Sequence, residues 1–147
     1  MTNDADPDPY HPVIQSQADL EAAWTRLMQP LGFGGWSLWL MLLQPDNTAV
    51  PALTQIEECV GAPEPEMLAG LAGILDELIE GAEPGHRWAL LRSRPGRGGA
   101  DDLDRTWARG IYAACAAAGV PLEVIHLATD DTVMPLPMDE VGYLRAS

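Results

Sequence analysis

The residues whose types and spacing could do chemistry lie in one short stretch. It runs Arg92-Ser-Arg-Pro-Gly-Arg-Gly-Gly99 and is followed by Asp101, Asp102 and Asp104. Arg92, Arg94 and Arg97 bring guanidinium groups that stay protonated and offer planar forks of hydrogen-bond donors to carboxylates or phosphates. Gly96, Gly98 and Gly99 let a backbone approach a ligand, and a helix opening at Asp101 or Asp102 would present free N–H groups. Together these make an anion site, fit for a phosphate, a carboxylate or an acidic segment. A second reading uses the same residues. The acids cap the helix and pair with the arginines, giving an internal salt-bridge cluster. Because Asp101, Asp102 and Asp104 stand at the same place, the second reading is the preferred expectation. Gly-Arg-Gly-Gly is neither a GxGxxG fingerprint nor a P-loop, which needs Gly-Lys-Ser/Thr, so nucleotide binding is not expected.

Other reactive side chains are scattered. His11 stands in the acidic start, His86 before a strand and His126 within one, where a satisfied core histidine is the expectation. Cys59 and Cys115 form no CxxC pair and read as reduced thiols, with Cys115 buried in an alanine-rich helix. Trp24, Trp88 and Trp107 fit core faces, while Trp36 and Trp39 fall on opposite faces of one strand.

The elements that must position these residues follow from periodicity. Residues 1–15 read as a mobile acidic tail and 16–147 as a single domain. A first helix begins at Ser16 and carries Leu20, Trp24, Leu27 and Met28 on one face; Pro30 ends it. Trp36–Leu43 is an apolar strand buried on both faces. Gln44-Pro-Asp-Asn47 is a turn, and Thr48–Ile56 returns as a strand that Pro51 either places at an edge or leaves with its pairing broken there. Pro63 and Pro65 open a second helix with an inward stripe of Met67, Leu68, Leu71, Ile74, Leu75, Leu78 and Ile79. Arg87–Arg92 is a third strand. The third helix turns Leu103, Trp107, Ile111, Ala114, Cys115 and Ala118 inward and ends at Gly119. Pro121–Leu127 is a fourth strand and Thr132–Leu136 a short fifth. This order predicts an α/β fold with a single mixed sheet flanked by helices. Arg87–Arg92 and Pro121–Leu127 should be neighbours bridged by the third helix in a right-handed crossover.

Charge narrows the classes of function. The net charge of −14 argues against nucleic acid and anionic membranes as partners. There is no lysine, yet six of the eight arginines fall between residues 84 and 109, a window that is locally +3 against −17 elsewhere. Lack of lysine is what a GC-rich genome produces; the clustering needs a local cause. No apolar run reaches the ~18 residues of a membrane span, and the acidic start resembles no secretory signal, so a cytoplasmic location is expected.

From Trp36 to Leu136 the order of elements, with Arg92-Ser-Arg-Pro95 ending a strand and Asp101-Asp-Leu-Asp104 opening the next helix, resembles the JAB/MPN domain. That is the cytidine-deaminase-like, three-layer fold of zinc isopeptidases and RadC-like bacterial proteins. The family strand ends His-x-His-Pro and the helix opens Ser-x-x-Asp, the two His and the Asp binding zinc and a Glu acting as base. Matched residue by residue, Arg92 and Arg94 stand at the His positions, Pro95 at the Pro, Asp101 at the Ser and Asp104 at the ligand Asp. The loop is one residue shorter than usual, and Glu57 and Glu58 lie near where the base comes from. Arginine has no lone pair for a metal, so the resemblance implies a degenerate member without metal, cofactor or catalysis. It implies a scaffold-like module that binds another protein or itself; the alternative is a small-molecule or anion-binding domain using the arginine loop, and an active hydrolase ranks last.

Overall fold

Apolar runs covered on both faces organise this fold. The computed structural model describes residues 12–142. In chain order it has α1 (Gln17–Leu27), β1 (Ser37–Leu43), β2 (Ala49–Ile56), α2 (Pro65–Ile79), β3 (Arg87–Ser93), α3 (Asp102–Ala118), β4 (Ile125–Ala128) and β5 (Val133–Leu136). The strands form one mixed sheet in the order β2-β1-β3-β4-β5. β1 is antiparallel to both β2 and β3, β3 is parallel to β4, and β4 is antiparallel to β5. The expected α/β class and mixed sheet are therefore present, with β3 and β4 neighbouring and α3 connecting them. Two parallel neighbours cannot be joined by a tight turn, and the 17-residue α3 supplies the crossover.

Alternation along the strands separates two cores. Leu38, Leu40, Trp88, Leu90, Ile125 and Leu127 pack beneath α2 and α3. Met41, Leu43, Ala89, Leu91 and Ala128 pack with Leu20, Ala23 and Trp24 of α1. This is why β1 reads as an unbroken apolar run: both its faces are covered. β2 is an edge strand, as Pro51 predicts, and its pairing with β1 shifts register between Met41 and Leu43. Gly119 ends α3 in the left-handed conformation at φ 73°, which a side chain would disfavour.

Several expectations need correction. Ile74 and Leu78 are 57% and 62% exposed, so the inward stripe of α2 is narrower than its apolar content suggests. Leu68, Leu71, Ala72 and Leu75 make the buried face instead. On α3, Ala118 is exposed, whereas Asp104, Ala108 and Tyr112 are buried. The fourth strand begins at Ile125; residues 121–124 contribute only a bridge between Trp88 and Leu122. Of the fifteen residues expected in a tail, 12–15 are described, and they are anchored. Ile14 N–H donates to Asn47 O at 2.7 Å and Ala49 N–H to Pro12 O at 3.1 Å, with Ile14 buried in the α1-side core. The rest of that segment and His11 lie outside the described residues, and no helix among the described residues is long and apolar enough to cross a membrane.

Tyr112 ties α3 to strands β4 and β5. Its hydroxyl donates to Leu136 O at 2.7 Å and accepts from Ile125 N–H at 2.8 Å, all in buried surroundings. Tyr112→Phe removes one donor and one acceptor at once and leaves both backbone groups without water. Urea denaturation should register a loss of about 1–3 kcal/mol; a variant within a few tenths of native stability would show that the bridge adds nothing.

Candidate functional site

The sequence brings Arg92 and Arg94 to the C-terminal end of β3 on alternate residues, so both leave the strand on the face that α3 covers. Asp104 approaches from the first turn of α3. That turn is fixed by a reciprocal capping box: Asp104 N–H donates to Asp101 Oδ1 at 2.8 Å, and Asp101 N–H to Asp104 Oδ2 at 2.9 Å. Asp104 is thus positioned by its own helix turn as well as by the arginines.

Both arginines converge on this one carboxylate. Arg92 Nε lies 2.9 Å from Asp104 Oδ1. Arg94 grips both oxygens, with Nε at 2.8 Å from Oδ1 and 2.9 Å from Oδ2, and Nη2 at 2.7 Å from Oδ2. The remaining donors go to backbone carbonyls: Arg92 Nη1 to Cys59 O, Arg94 Nη1 to Pro95 O, and Arg94 Nη2 to Gly99 O. Arg92 Nη2 finds no hydrogen-bond partner, but the guanidinium lies over the Trp107 ring, 5.3 Å from its centroid. The ring face supplies an electrostatic partner there. Arg92 is 1% exposed, Arg94 7% and Asp104 0%, so the cluster is interior.

Electrostatics follow from that geometry. Burial by itself raises the Asp104 carboxyl, but the hydrogen bonds from Arg94 and then Arg92 outweigh it and leave the group below the usual carboxylate range. The hydrogen bond from Arg94 to Asp104 likewise raises the arginine against the opposing effect of burial. The unit carries two positive charges and one negative. Asp101, half exposed, approaches Arg94 Nη2 at 3.8 Å and reduces the surplus.

The glycine-rich loop is closed in the same internal way. Gly96 N–H donates to Asp130 Oδ2 at 2.9 Å and Gly98 N–H to Asp131 Oδ1 at 3.1 Å. A side-chain carbon at Gly96 would come within 2.9 Å of Arg94 Nη1, so the loop wraps Arg94 closely. The donors that an external anion would need already hold the chain's own carboxylates. Arg97 is the exception among the three arginines: it is exposed, and its charge acts on Asp131 rather than on Asp104. Arg92, Arg94, Asp101 and Asp104 therefore form one cluster, and Arg97 stands outside it.

Sequence reasoning missed the Cys59 carbonyl, Trp107 and the pair Asp130 and Asp131. Asp130-Asp131 was legible only as a turn, because nothing local signals a partner some 30 residues away. Glu57 and Glu58 are exposed, on the segment that leads to Cys59. A metal does not fit the cluster. Every oxygen of Asp104 already accepts at least two hydrogen bonds, and two guanidinium groups stand where other ligands would be needed. Cys59 and Cys115 are buried free thiols; burial pushes Cys115 up to about 11, so neither geometry nor ionisation favours thiolate chemistry there.

Comparison with protein-family models, with curated proteins and with solved structures finds no match to this chain.

Proposed function

We propose that this chain is a non-catalytic JAB/MPN-like module that works by binding a partner protein or a second copy of itself. The observation that carries the reading is the convergence of Arg92 and Arg94 on Asp104. The resemblance aligned these three positions with the two His and the Asp of a zinc site. Residues at ligand positions must meet at one point, and these do. Their chemistry is inverted: an ion cluster replaces the metal as the link between the end of β3 and the start of α3. The strand order and the two covered faces of the sheet support a three-layer arrangement of that kind. A cytoplasmic location goes with the reading, since it keeps Cys59 and Cys115 reduced.

An anion-binding role for Arg92, Arg94 and Arg97 has less support. Two of the three are buried against Asp104, and the loop N–H groups hold Asp130 and Asp131.

Two measurements test the proposal. Elemental analysis of protein purified without chelator should find no stoichiometric zinc, and EDTA should leave Tm unchanged; about one zinc per chain would overturn the reading. Affinity capture from the native host, followed by native mass spectrometry, should yield a complex of defined stoichiometry with another protein or a homo-oligomer. Recovery of the chain only as a monomer would overturn it equally.

A further inference from the structure

At the end of the sheet lies an open cleft of about 350 Å³. It sits where the start of β1 meets the ends of β2 and β3, beside the segment joining α1 to β1. Its apolar walls are the partly exposed rings of Phe33, Trp36 and Trp39. Its floor is polar. Ser37 and Ser93, paired across β1 and β3, are buried and line it together with Gln55. Glu57 and Glu58 also line it, and no Arg or His among the described residues contributes to it.

The hydrogen bonds within the cleft decide what it can receive. Trp39 Nε1 donates to Ser93 Oγ at 2.9 Å, and Gln55 Nε2 donates to Ser37 Oγ at 3.0 Å. The Trp39 indole donor and one of the two Gln55 amide hydrogens are therefore occupied. What remains for a ligand includes the Gln55 Oε1 acceptor and the exposed Glu57 and Glu58 carboxylates, beside serine hydroxyls that can still donate or accept. A ligand that carries positive charge, donates hydrogen bonds and has a flat face for ring contact matches the carboxylates and the rings together. A guanidinium is such a group, being planar, weakly hydrated and able to stack on aromatic rings while its edges donate to carboxylates. The net charge of −14 would also draw a basic segment toward the protein.

We propose that this cleft receives an arginine side chain from a basic segment of a partner protein. The proposal rests on the binding-module reading and names the chemistry by which that module recognises its partner. Aromatic rings and carboxylates supply affinity for the cation, and the serine and glutamine floor sets its depth.

Calorimetric titration of the full chain with blocked five-residue peptides tests it. Ac-Ala-Ala-Arg-Ala-Ala-amide should bind with one-to-one stoichiometry and weaken as NaCl is raised. The same peptide with citrulline, which keeps the shape without the charge, should bind at least about tenfold more weakly, roughly 1.4 kcal/mol by the standard conversion. Trp36→Ala should abolish the signal. The double variant Glu57→Gln, Glu58→Gln involves exposed residues and should fold as native in a thermal melt, yet lose binding at least about tenfold. Equal binding of the citrulline peptide, binding unchanged in the double variant, or no binding of the arginine peptide would each overturn the proposal. So would methylguanidinium binding as tightly as the peptide, since the cleft would then serve a free small cation. A host complex that survives both variants removes the cleft from recognition and leaves the module reading standing; absence of any complex removes the module reading itself.

Discussion

Asp104→Ala is expected to be the most damaging single substitution in the described structure. It removes the only carboxylate that Arg92 contacts and the bidentate partner of Arg94, and it opens one half of the α3 capping box. Two guanidinium groups would then remain in an interior position with no negative charge at contact distance except Asp101, 3.8 Å away and half exposed. Breaking a buried pair from one side costs on the order of 3–5 kcal/mol, and losing a helix cap adds about 1 kcal/mol. Against a total stability of roughly 5–15 kcal/mol for a domain, that can unfold the chain at room temperature. Arg94→Ala should also be destabilising, but less so, since Arg92 still neutralises Asp104. Thermal melts of native protein and both variants, with and without phosphate, check this. Large losses in both variants with no phosphate effect are expected. A phosphate-induced rise in Tm that disappears in Arg94→Ala would instead reveal an anion site and refute the structural account of the cluster.

Acid should destabilise this protein well before its carboxylates protonate, because of His126. The side chain is fully buried on the α1 side of β4. Nδ1 lies 3.0 Å from Val124 O, which can only accept, so the neutral ring carries its proton there and leaves Nε2 without a partner. Burial pushes the group from 6.5 down to about 4, opposed only in part by the bond to Val124 O. The unfolded chain therefore takes up a proton at a higher pH than the folded chain does. Stability from the neutral ring is complete above about pH 6.5 and is lost progressively as pH falls toward 4. The full loss amounts to about 3 kcal/mol at roughly 1.4 kcal/mol per unit of pKa difference. Asp104 acts in the same direction but lower on the scale, since its folded value lies below the ordinary carboxylate range. Urea denaturation at pH 7.5, 5.5 and 4.5 should show the native protein losing stability across this window and His126→Gln losing far less. Parallel pH dependence in the two proteins would mean that His126 is solvated or charged in the fold.

The elements were legible because each rests on a local signal. Ser16 caps α1, Pro65 opens α2, Asp101 caps α3, Gly119 closes it, and Pro51 sends β2 to an edge. The unbroken apolar run of β1 announced a strand covered on both sides, and the burial of Trp24, Trp88, Trp107 and Cys115 followed from helical and strand spacing. Ile74 and Leu78 misled, because periodicity shows that a residue is apolar but not how wide a face its neighbours can cover. The sequence by itself determined the α/β class, the mixed sheet and the presence of arginines and aspartates at one strand–helix junction.

Only the tertiary structure decided what those charges do. Pairing between Arg92, Arg94 and Asp104 depends on α3 laying its first turn against the end of β3, and on the loop turning Gly96 and Gly98 toward Asp130 and Asp131. The cleft of Phe33, Trp36 and Trp39 was equally hidden, since it gathers residues from β1, β2, β3 and two connecting segments. The physical reason is the same in each case. Helix and strand preferences act over a few residues, whereas burial of a charge or enclosure of a cleft depends on which distant segments the sheet order brings side by side.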